Sequence, residues 1–273
     1  MNYLNSDIKD LKQLGKDRHE EYVNANPFPS IVFDDFFNVD VLNKVVDDFP
    51  DLSKQKDIIT YDNHNEKKFE AKGERYFSDT IKAFMHYLNS QPVLEFLQEL
   101  TGIKETLVPD PYFMGGGYHE IKPGGLLKVH ADFNKHDLTK LDRRINLLVY
   151  LNKDWEESYG GHFELWDEDM TKAHRKVLPV FNRVAIFSTT DFSYHGHPDA
   201  LTCPPDRSRK SLALYYYSNG RPKNEISDRA HATVFVNRAG KADDVEKEPT
   251  TIKDVLRAAT PPVLWKYLKK MFK

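Results

Sequence analysis

Between residues 105 and 220 the sequence breaks into short runs of β-branched and aromatic residues separated by turn residues. Many short strands at this spacing are typical of a β-sandwich or β-barrel, because each strand buries one face and then reverses at a turn. This segment therefore constrains the fold more than any other part of the chain. The runs are PYFMGGGYHEI, LLKVHA, INLLVYLN, HFELWD, VAIFST and SLALYYY.

The segment before these runs is predicted to be mainly helical, with one early strand. Ser6 is a candidate cap for a short first helix that Gly15 ends, and residues 28–37 form the expected strand. Ser78 and Ser90 each precede a run of apolar residues at helical spacing. We therefore expect an α+β protein that is mainly β, with helices supporting a β core.

The polar stretch 51–75 is predicted to be an exposed loop or hairpin between the helices. It carries Asn63, His64, Lys67 and Lys68. Two interpretations stay open, a lid that covers a ligand and a charged loop in solvent.

Three regions are expected along the 273 residues. Residues 1–104 form an N-terminal support of helices and a strand that is integral to the fold, and residues 105–222 form the β core. Residues 223–273 form a C-terminal extension that ends in an amphipathic helix.

The composition argues against several classes of protein. A formal net charge of -3 gives no reason to expect nucleic acid as a partner. The single cysteine, Cys203, cannot form an intrachain disulfide, which favours a reducing, cytoplasmic setting. The polar N-terminal stretch lacks the apolar core of a signal peptide, and no run approaches the roughly 18 apolar residues of a membrane span. A soluble cytoplasmic protein is expected.

The heptapeptide KVHADFN places His130 and Asp132 two residues apart at the end of an extended run. Residues i and i+2 of a strand point the same way, so the two side chains can share a metal ion. An isolated His-x-Asp pair at a strand end more often consists of two ordinary polar residues that bind no metal. A third ligand is available in FSYHGHP, where His195 and His197 are the alternatives. Two histidines and one carboxylate form the metal site of non-haem Fe(II) oxygenases.

The order of motifs extends this pattern over the whole β-rich segment. The HxD pair is followed by YLN, by a tryptophan and paired glycines, by the distal histidine and by an arginine in RSRKSLALYYY. From Tyr118 to Ser218 the chain resembles the 2-oxoglutarate- and Fe(II)-dependent oxygenases of the prolyl 4-hydroxylase type. The resemblance implies a jelly-roll (double-stranded β-helix) core packed by N-terminal helices.

The resemblance also implies roles for individual residues. His130, Asp132 and His195 would be the catalytic metal ligands, with His197 left open as the competitor of His195. Arg209 would pair with the far carboxylate of 2-oxoglutarate, because a guanidinium binds a carboxylate bidentately. The further expected co-substrate residues are Tyr150, Asn146 and Tyr118. The alternatives left open for the arginine are Arg207 and Lys210.

The implied activity is hydroxylation of an unactivated C–H bond, with release of succinate and CO2. The implied cofactors are Fe(II), 2-oxoglutarate as co-substrate and O2, with ascorbate as an open further requirement. The substrate stays open between a prolyl or other protein residue, a small molecule, a sugar and a cell-envelope intermediate. Asp132 argues against a halogenase, which commonly lacks that carboxylate. The alternative function is a non-catalytic jelly-roll binding module, for example one that binds carbohydrate.

The C-terminal stretch TIKDVLRAATPPVLWKYLKKMFK resembles tails of bacterial enzymes that assemble surface polysaccharides. Its last residues form an apolar stripe with lysines beside it. This pattern is typical of a helix that packs on its own chain or on a second copy. It also fits peripheral attachment to the inner face of a membrane.

Overall fold

The computed structural model describes residues 2–222, 225 and 230–246. Within this part, two antiparallel sheets face each other, and helices pack on the outer side of the larger sheet. The helices are α1 (Leu11–Asp17), α2 (His19–Val23), α3 (Val39–Asp47), α4 (Asp79–Leu88) and α5 (Gln91–Thr101). Short 3-10 helices cover Leu52–Lys54, Glu74–Tyr76 and Glu157–Tyr159.

The helices α4 and α5 begin where the sequence predicts. The Ser78 hydroxyl accepts a hydrogen bond from the Ile81 backbone N–H at 3.2 Å, which satisfies one of the free donors in the first turn of α4. Ser90 precedes α5, which has Pro92 in its first turn and ends at Gly102 in the left-handed conformation.

The first helix differs from its prediction at both ends. Its cap is Asp10, not Ser6, because the Asp10 carboxylate accepts from the Gln13 backbone N–H at 2.9 Å. Gly15 lies inside the helix and does not end it. A Cβ at Gly15 would lie 2.6 Å from the Phe96 carbonyl oxygen, so the glycine permits close packing of α1 on α5.

The larger sheet has eight strands, and β7 and β12 lie at its centre. Its order is β1 (Ser30–Phe33), β10 (Val184–Ser188), β7 (Asp142–Tyr150), β12 (Arg209–Ser218), β5 (Gly117–Ile121), β3 (Lys67–Lys72) and β2 (Ile59–Asp62). Strand β4 (Leu107–Val108) pairs with one end of β12.

The smaller sheet has five strands and carries the HxD motif. Its order is β13 (Val234–Phe235), β6 (Leu127–Ala131), β11 (His195–His197), β8 (Phe163–Trp166) and β9 (Ala173–Val177).

The central strand β12 shows how alternation separates core from site. Leu212, Leu214 and Tyr216 join the hydrophobic core under the helices. Arg209 and Tyr215 lie on the opposite face, towards the smaller sheet. The two layers and the helical support confirm the predicted mainly β jelly-roll architecture, with sheets that stay open at their edges.

The stretch 51–75 contains a hairpin, one of the two predicted forms, but it is not exposed throughout. Strands β2 and β3 form this hairpin at the edge of the larger sheet, and β3 pairs with β5. Lys68 and Glu70 on β3 are buried. The polar composition misled the prediction because these charges pair with one another inside the fold.

Part of the C-terminal extension packs on the smaller sheet, where β13 pairs with β6. The terminal helix predicted over 261–273 lies outside the described residues, and so do its membrane and self-association interpretations. No helix in the described part of the chain is long and apolar enough to cross a membrane. The division into 1–104, 105–222 and 223–273 stays a prediction, since helices and larger sheet share one core.

Candidate active site

The neighbouring strands β6 and β11 bring the predicted metal ligands together. His195 is the cross-strand partner of His130, and Asp132 follows directly after β6. The ligand atoms of the three side chains all lie within 4.8 Å of one another. Asp132 Oδ1 is 3.7 Å from His130 Nε2, and Asp132 Oδ2 is 3.3 Å from His195 Nε2.

Hydrogen bonds to the backbone orient both imidazole rings. His130 Nδ1 lies 2.8 Å from the Lys128 carbonyl oxygen, and His195 Nδ1 lies 2.8 Å from the Ser193 carbonyl oxygen. A carbonyl only accepts, so each Nδ1 carries the proton. Each Nε2 is therefore the ring nitrogen that is left for a metal ion, and it lies beside the Asp132 carboxylate.

Two buried side chains hold the Asp132 carboxylate. Arg143 Nη2 and Asn146 Nδ2 donate to Asp132 Oδ2 at 3.0 and 2.7 Å, and Arg143 Nε donates to Asn146 Oδ1 at 2.9 Å. Burial alone would raise the pKa of Asp132, but the charge of Arg143 and the contact with His195 hold it well below its usual range. The carboxylate is therefore ionised.

Burial has the opposite effect on His130. It lowers the pKa of this histidine to about 3, and the neighbouring His195 lowers it further. A neutral imidazole is the form that binds a metal. Two imidazole rings and one ionised carboxylate match the donor set of non-haem Fe(II) sites.

Arg209 and Tyr150 lie between the two sheets as a second polar group. Arg209 Nε donates to the Gly161 carbonyl oxygen at 2.8 Å, and Arg209 Nη2 donates to the Tyr150 hydroxyl at 3.4 Å. Burial lowers the pKa of Arg209 and raises that of Tyr150. In the described part of the chain no acidic side chain pairs with this guanidinium. A buried charge is costly without a counter-ion, so the arrangement favours an anionic ligand.

The two alternatives to Arg209 point elsewhere. Arg207 Nη1 donates to the Lys153 carbonyl oxygen at 2.6 Å, outside the inter-sheet space. The Lys210 ammonium lies 5.2 Å from the Phe49 ring centre, on the opposite face of β12.

His197 is buried on β11 but does not join the three candidate ligands. Neither of its ring nitrogens has a hydrogen-bond partner among the described residues. Burial first, and the charge of Arg209 second, lower its pKa well below the usual range.

Two predicted co-substrate residues have other contacts. Asn146 orients Asp132 and is committed to that carboxylate and to Arg143. Tyr118 lies on the other face of the sheet, where its ring packs at 4.8 Å from Phe49 and at 5.3 Å from Phe77. The prediction that Tyr118 lines the co-substrate pocket is therefore not supported, because alternation along β5 directs it to the helical core.

Sequence reasoning missed Arg143. A β-bulge separates the pairs Ile145–Tyr216 and Arg143–Tyr217, and it shifts the alternation of β7. Arg143 therefore reaches Asp132, while its guanidinium stacks 3.4 Å from the Tyr215 ring centre. A bulge has no signature in this stretch of sequence.

A cavity of about 90 Å³ opens beside the candidate ligands and is lined by charged side chains of the β2–β3 hairpin. A larger cleft of about 450 Å³ adjoins it, and Lys72, Gly115, Phe133 and Thr233 line both. The remaining lining residues of the inner cavity are Tyr61, Glu66, Lys68, Glu70, Leu127, His130, Asp132 and Tyr215.

An ion-pair network forms the hairpin side of this cavity. Lys68 Nζ lies 2.5 Å from Glu70 and 3.1 Å from Glu66, and Lys72 Nζ lies 3.1 Å from Glu70. Burial raises the pKa of Glu70, but the adjacent lysines outweigh it and hold the pKa below its usual range. The wall of the cavity is therefore ionised and strongly polar.

Comparison with known proteins agrees with this geometry. Residues 116–217 match the model of the 2OG-Fe(II) oxygenase superfamily. A prolyl-4-hydroxylase from Pseudomonas putida superposes with a TM-score of 0.53 at 13% identity, over 76% of this chain and 100% of that chain. A prolyl hydroxylase from Trichoplax adhaerens, solved with a peptide fragment of the hypoxia inducible factor oxygen degradation domain, gives 0.54 at 17% identity, over 76% and 90%.

A third similar structure is the non-heme α-ketoglutarate-dependent carbocyclase SnoK from nogalamycin biosynthesis. Its TM-score is 0.53 at 11% identity, over 77% of this chain and 86% of that chain. At these identities the superpositions establish the fold, and the family match covers the segment that carries the candidate ligands. Residues 116–217 therefore resemble the 2OG-Fe(II) oxygenase superfamily, and the chain has a prolyl 4-hydroxylase-like fold.

Proposed function

We propose that His130, Asp132 and His195 hold Fe(II) and that Arg209 and Tyr150 bind the far carboxylate of 2-oxoglutarate. The observation that carries this proposal is the convergence of two oriented Nε2 atoms and one ionised carboxylate within 4.8 Å. The buried Arg209 lacks a counter-ion in the described part of the chain, and this supports the proposed binding of the far carboxylate of 2-oxoglutarate.

When bound, Fe(II) and 2-oxoglutarate activate O2, so that one oxygen atom enters a substrate C–H bond and the other enters succinate as CO2 leaves. The chain's own residues prepare this chemistry. Arg143 and Asn146 fix the orientation of Asp132, and the backbone carbonyls fix both rings. Phe187 packs 4.6 Å from the His195 ring, which keeps water from that side.

We infer hydroxylation as the reaction, since the carboxylate ligand is present and the fold matches hydroxylases. Relatives of the same fold include a carbocyclase by name, so the fold by itself does not choose the reaction. Ascorbate is proposed only as a reductant that keeps the metal in the Fe(II) state.

The inner cavity bears on the substrate. Its wall of Lys68, Glu66 and Glu70 is ionised and lies beside His130 and Asp132. Charged groups of this kind bind hydroxyl, amide or charged groups better than hydrocarbon. We therefore propose a small molecule or peptide with polar groups around the reacting carbon. A peptide, as in the Trichoplax adhaerens complex, and a sugar or cell-envelope intermediate both meet this condition.

The test is conversion of 2-oxoglutarate to succinate by the purified protein in air with Fe(II). We expect slow, iron-dependent succinate formation by the wild type even before a substrate is found. Asp132→Ala should remove this conversion while the circular dichroism spectrum is unchanged. Asn24→Ala is the control, since Asn24 is exposed and its side-chain amide bonds to Glu20. A folded wild type that binds iron and forms no succinate would favour the binding-module alternative.

A further inference from the structure

The ring of His197 takes part in none of the hydrogen bonds that build the candidate site. It is 3% exposed, and both its nitrogens lack a hydrogen-bond partner in the part of the chain that the structure describes. Most buried polar side-chain atoms in proteins are paired, so a ring with two unpaired nitrogens points to a group that binds there.

The position of His197 relates it to the co-substrate. It lies two residues after His195 on β11, and the register shift in this pair places the extra residue on β6, so both rings lie on one face of β11. The intervening Gly196 packs tightly on β6, since a Cβ there would lie 2.8 Å from the Leu127 carbonyl oxygen. This contact fixes the strand and therefore the direction of both histidines.

The charged or titratable groups close enough to act on His197 are Arg209, Lys68 and His130. The ring is therefore near both the candidate carboxylate-binding arginine and one of the candidate metal ligands. A dicarboxylic keto acid that chelates the metal at one end and reaches Arg209 at the other would occupy the same part of the inter-sheet space.

The His197 imidazole and the far carboxylate of the co-substrate have complementary hydrogen-bonding groups. An imidazole offers an N–H donor in either protonation state, and a carboxylate offers about four acceptor positions. Arg209 already shares Nη2 with the Tyr150 hydroxyl and Nε with the Gly161 carbonyl oxygen, so it leaves acceptor positions of a bound carboxylate free.

We propose that His197 is a further binding residue for the far carboxylate of the co-substrate, to which it donates a hydrogen bond beside Arg209 and Tyr150. This inference rests on the proposed function, because it takes Fe(II) and 2-oxoglutarate as the ligands of the site. It adds a donor that does not touch the metal.

The experiment compares two keto acids on Fe(II)-loaded protein without oxygen. 2-Oxoglutarate carries the far carboxylate, whereas 2-oxopentanoate has the same chain length with a methyl group in its place. Both chelate the metal through the keto acid, so the visible charge-transfer band reports binding of each. Titrations give the two dissociation constants for the wild type, His197→Leu and His197→Gln.

We expect His197→Leu to weaken 2-oxoglutarate about tenfold or more, as for loss of a hydrogen bond to a charged group. The same variant should bind 2-oxopentanoate as the wild type does, and His197→Gln, which keeps an N–H donor, should recover most of the affinity. A merely structural role would not distinguish the two keto acids.

Three outcomes would overturn the inference. Equal weakening of both keto acids, or loss of the band with both, would mean that His197 acts on the metal or on folding. Unchanged affinity in His197→Leu would mean that the ring does not touch the carboxylate. Absence of the band in the wild type would overturn the proposed function itself, and this inference with it.

Discussion

At the scale of single residues, the site depends on how tightly Asp132 is held. Its Oδ2 accepts from both Arg143 and Asn146, and these two side chains also bond to each other. A carboxylate fixed in this way has one orientation towards the two histidine rings. The residues behind the ligands therefore contribute to metal binding by orienting the ligands.

Asn146→Ala tests this positioning role. Removing the amide leaves Asp132 with Arg143 alone, so we expect the affinity for Fe(II) to fall roughly 10- to 100-fold with the fold retained. The affinity is measured by competition with a chelating dye, and Asn24→Ala serves as the control. Unchanged affinity would show that Arg143 alone fixes the carboxylate.

His119 predicts a dependence of stability on pH. Burial lowers its pKa from 6.5 to about 4 in the folded protein. Between these values the unfolded chain binds a proton that the folded protein does not bind, so stability falls as the pH falls. From pH 7 to pH 5 the loss from this residue is about 2 kcal/mol.

Urea unfolding of the wild type and His119→Gln at both pH values measures this contribution. The wild type should lose about 2 kcal/mol more than the variant. Equal losses in the two proteins would mean that His119 is already protonated in the fold or is accessible to water.

At the scale of elements, the β2–β3 hairpin lines one side of the inner cavity, although its sequence predicts an exposed segment. Alternation along β3 turns Lys68 and Glu70 inwards, whereas Lys67 is exposed and pairs with Asp62 at 3.6 Å. The buried pair faces the cavity beside His130 and Asp132. The hairpin therefore contributes to the site through Lys68 and Glu70, two charged residues that the polar composition predicts to be exposed.

Lys68→Met tests whether these charges are buried. The substitution leaves Glu66 without its lysine and Glu70 with Lys72 as its one remaining lysine, and we expect a loss of about 3 kcal/mol in unfolding free energy. The matched control is Lys67→Met on the same strand, which should change stability by less than about 0.5 kcal/mol. Similar effects of the two substitutions would mean that the hairpin is solvated.

At the scale of the whole molecule, the sequence predicts the parts of the site that follow periodicity and motif order. The mainly β core and the shared direction of His130 and Asp132 follow from strand alternation and spacing. The jelly-roll, the choice of His195 as third ligand and the role of Arg209 are implied by the resemblance in motif order. The co-substrate role predicted for Tyr118 is not supported, because the motif resemblance does not say which face of β5 the residue occupies. Arg143 was not predicted as a site residue because a bulge reverses the direction of its side chain. Lys68 and Glu70 were not predicted because charged residues are usually exposed.

The central claim is that this fold binds Fe(II) at His130, Asp132 and His195 and 2-oxoglutarate beside it. The most direct measurement is the visible spectrum of the protein after addition of Fe(II) and then 2-oxoglutarate without oxygen. We predict a charge-transfer band in the wild type and in His162→Ala, whose ring pairs with Glu157 away from the triad. The band should be absent in His195→Ala and in Asp132→Ala. Iron-loaded wild type without a band, or a band that survives in His195→Ala, would contradict the account.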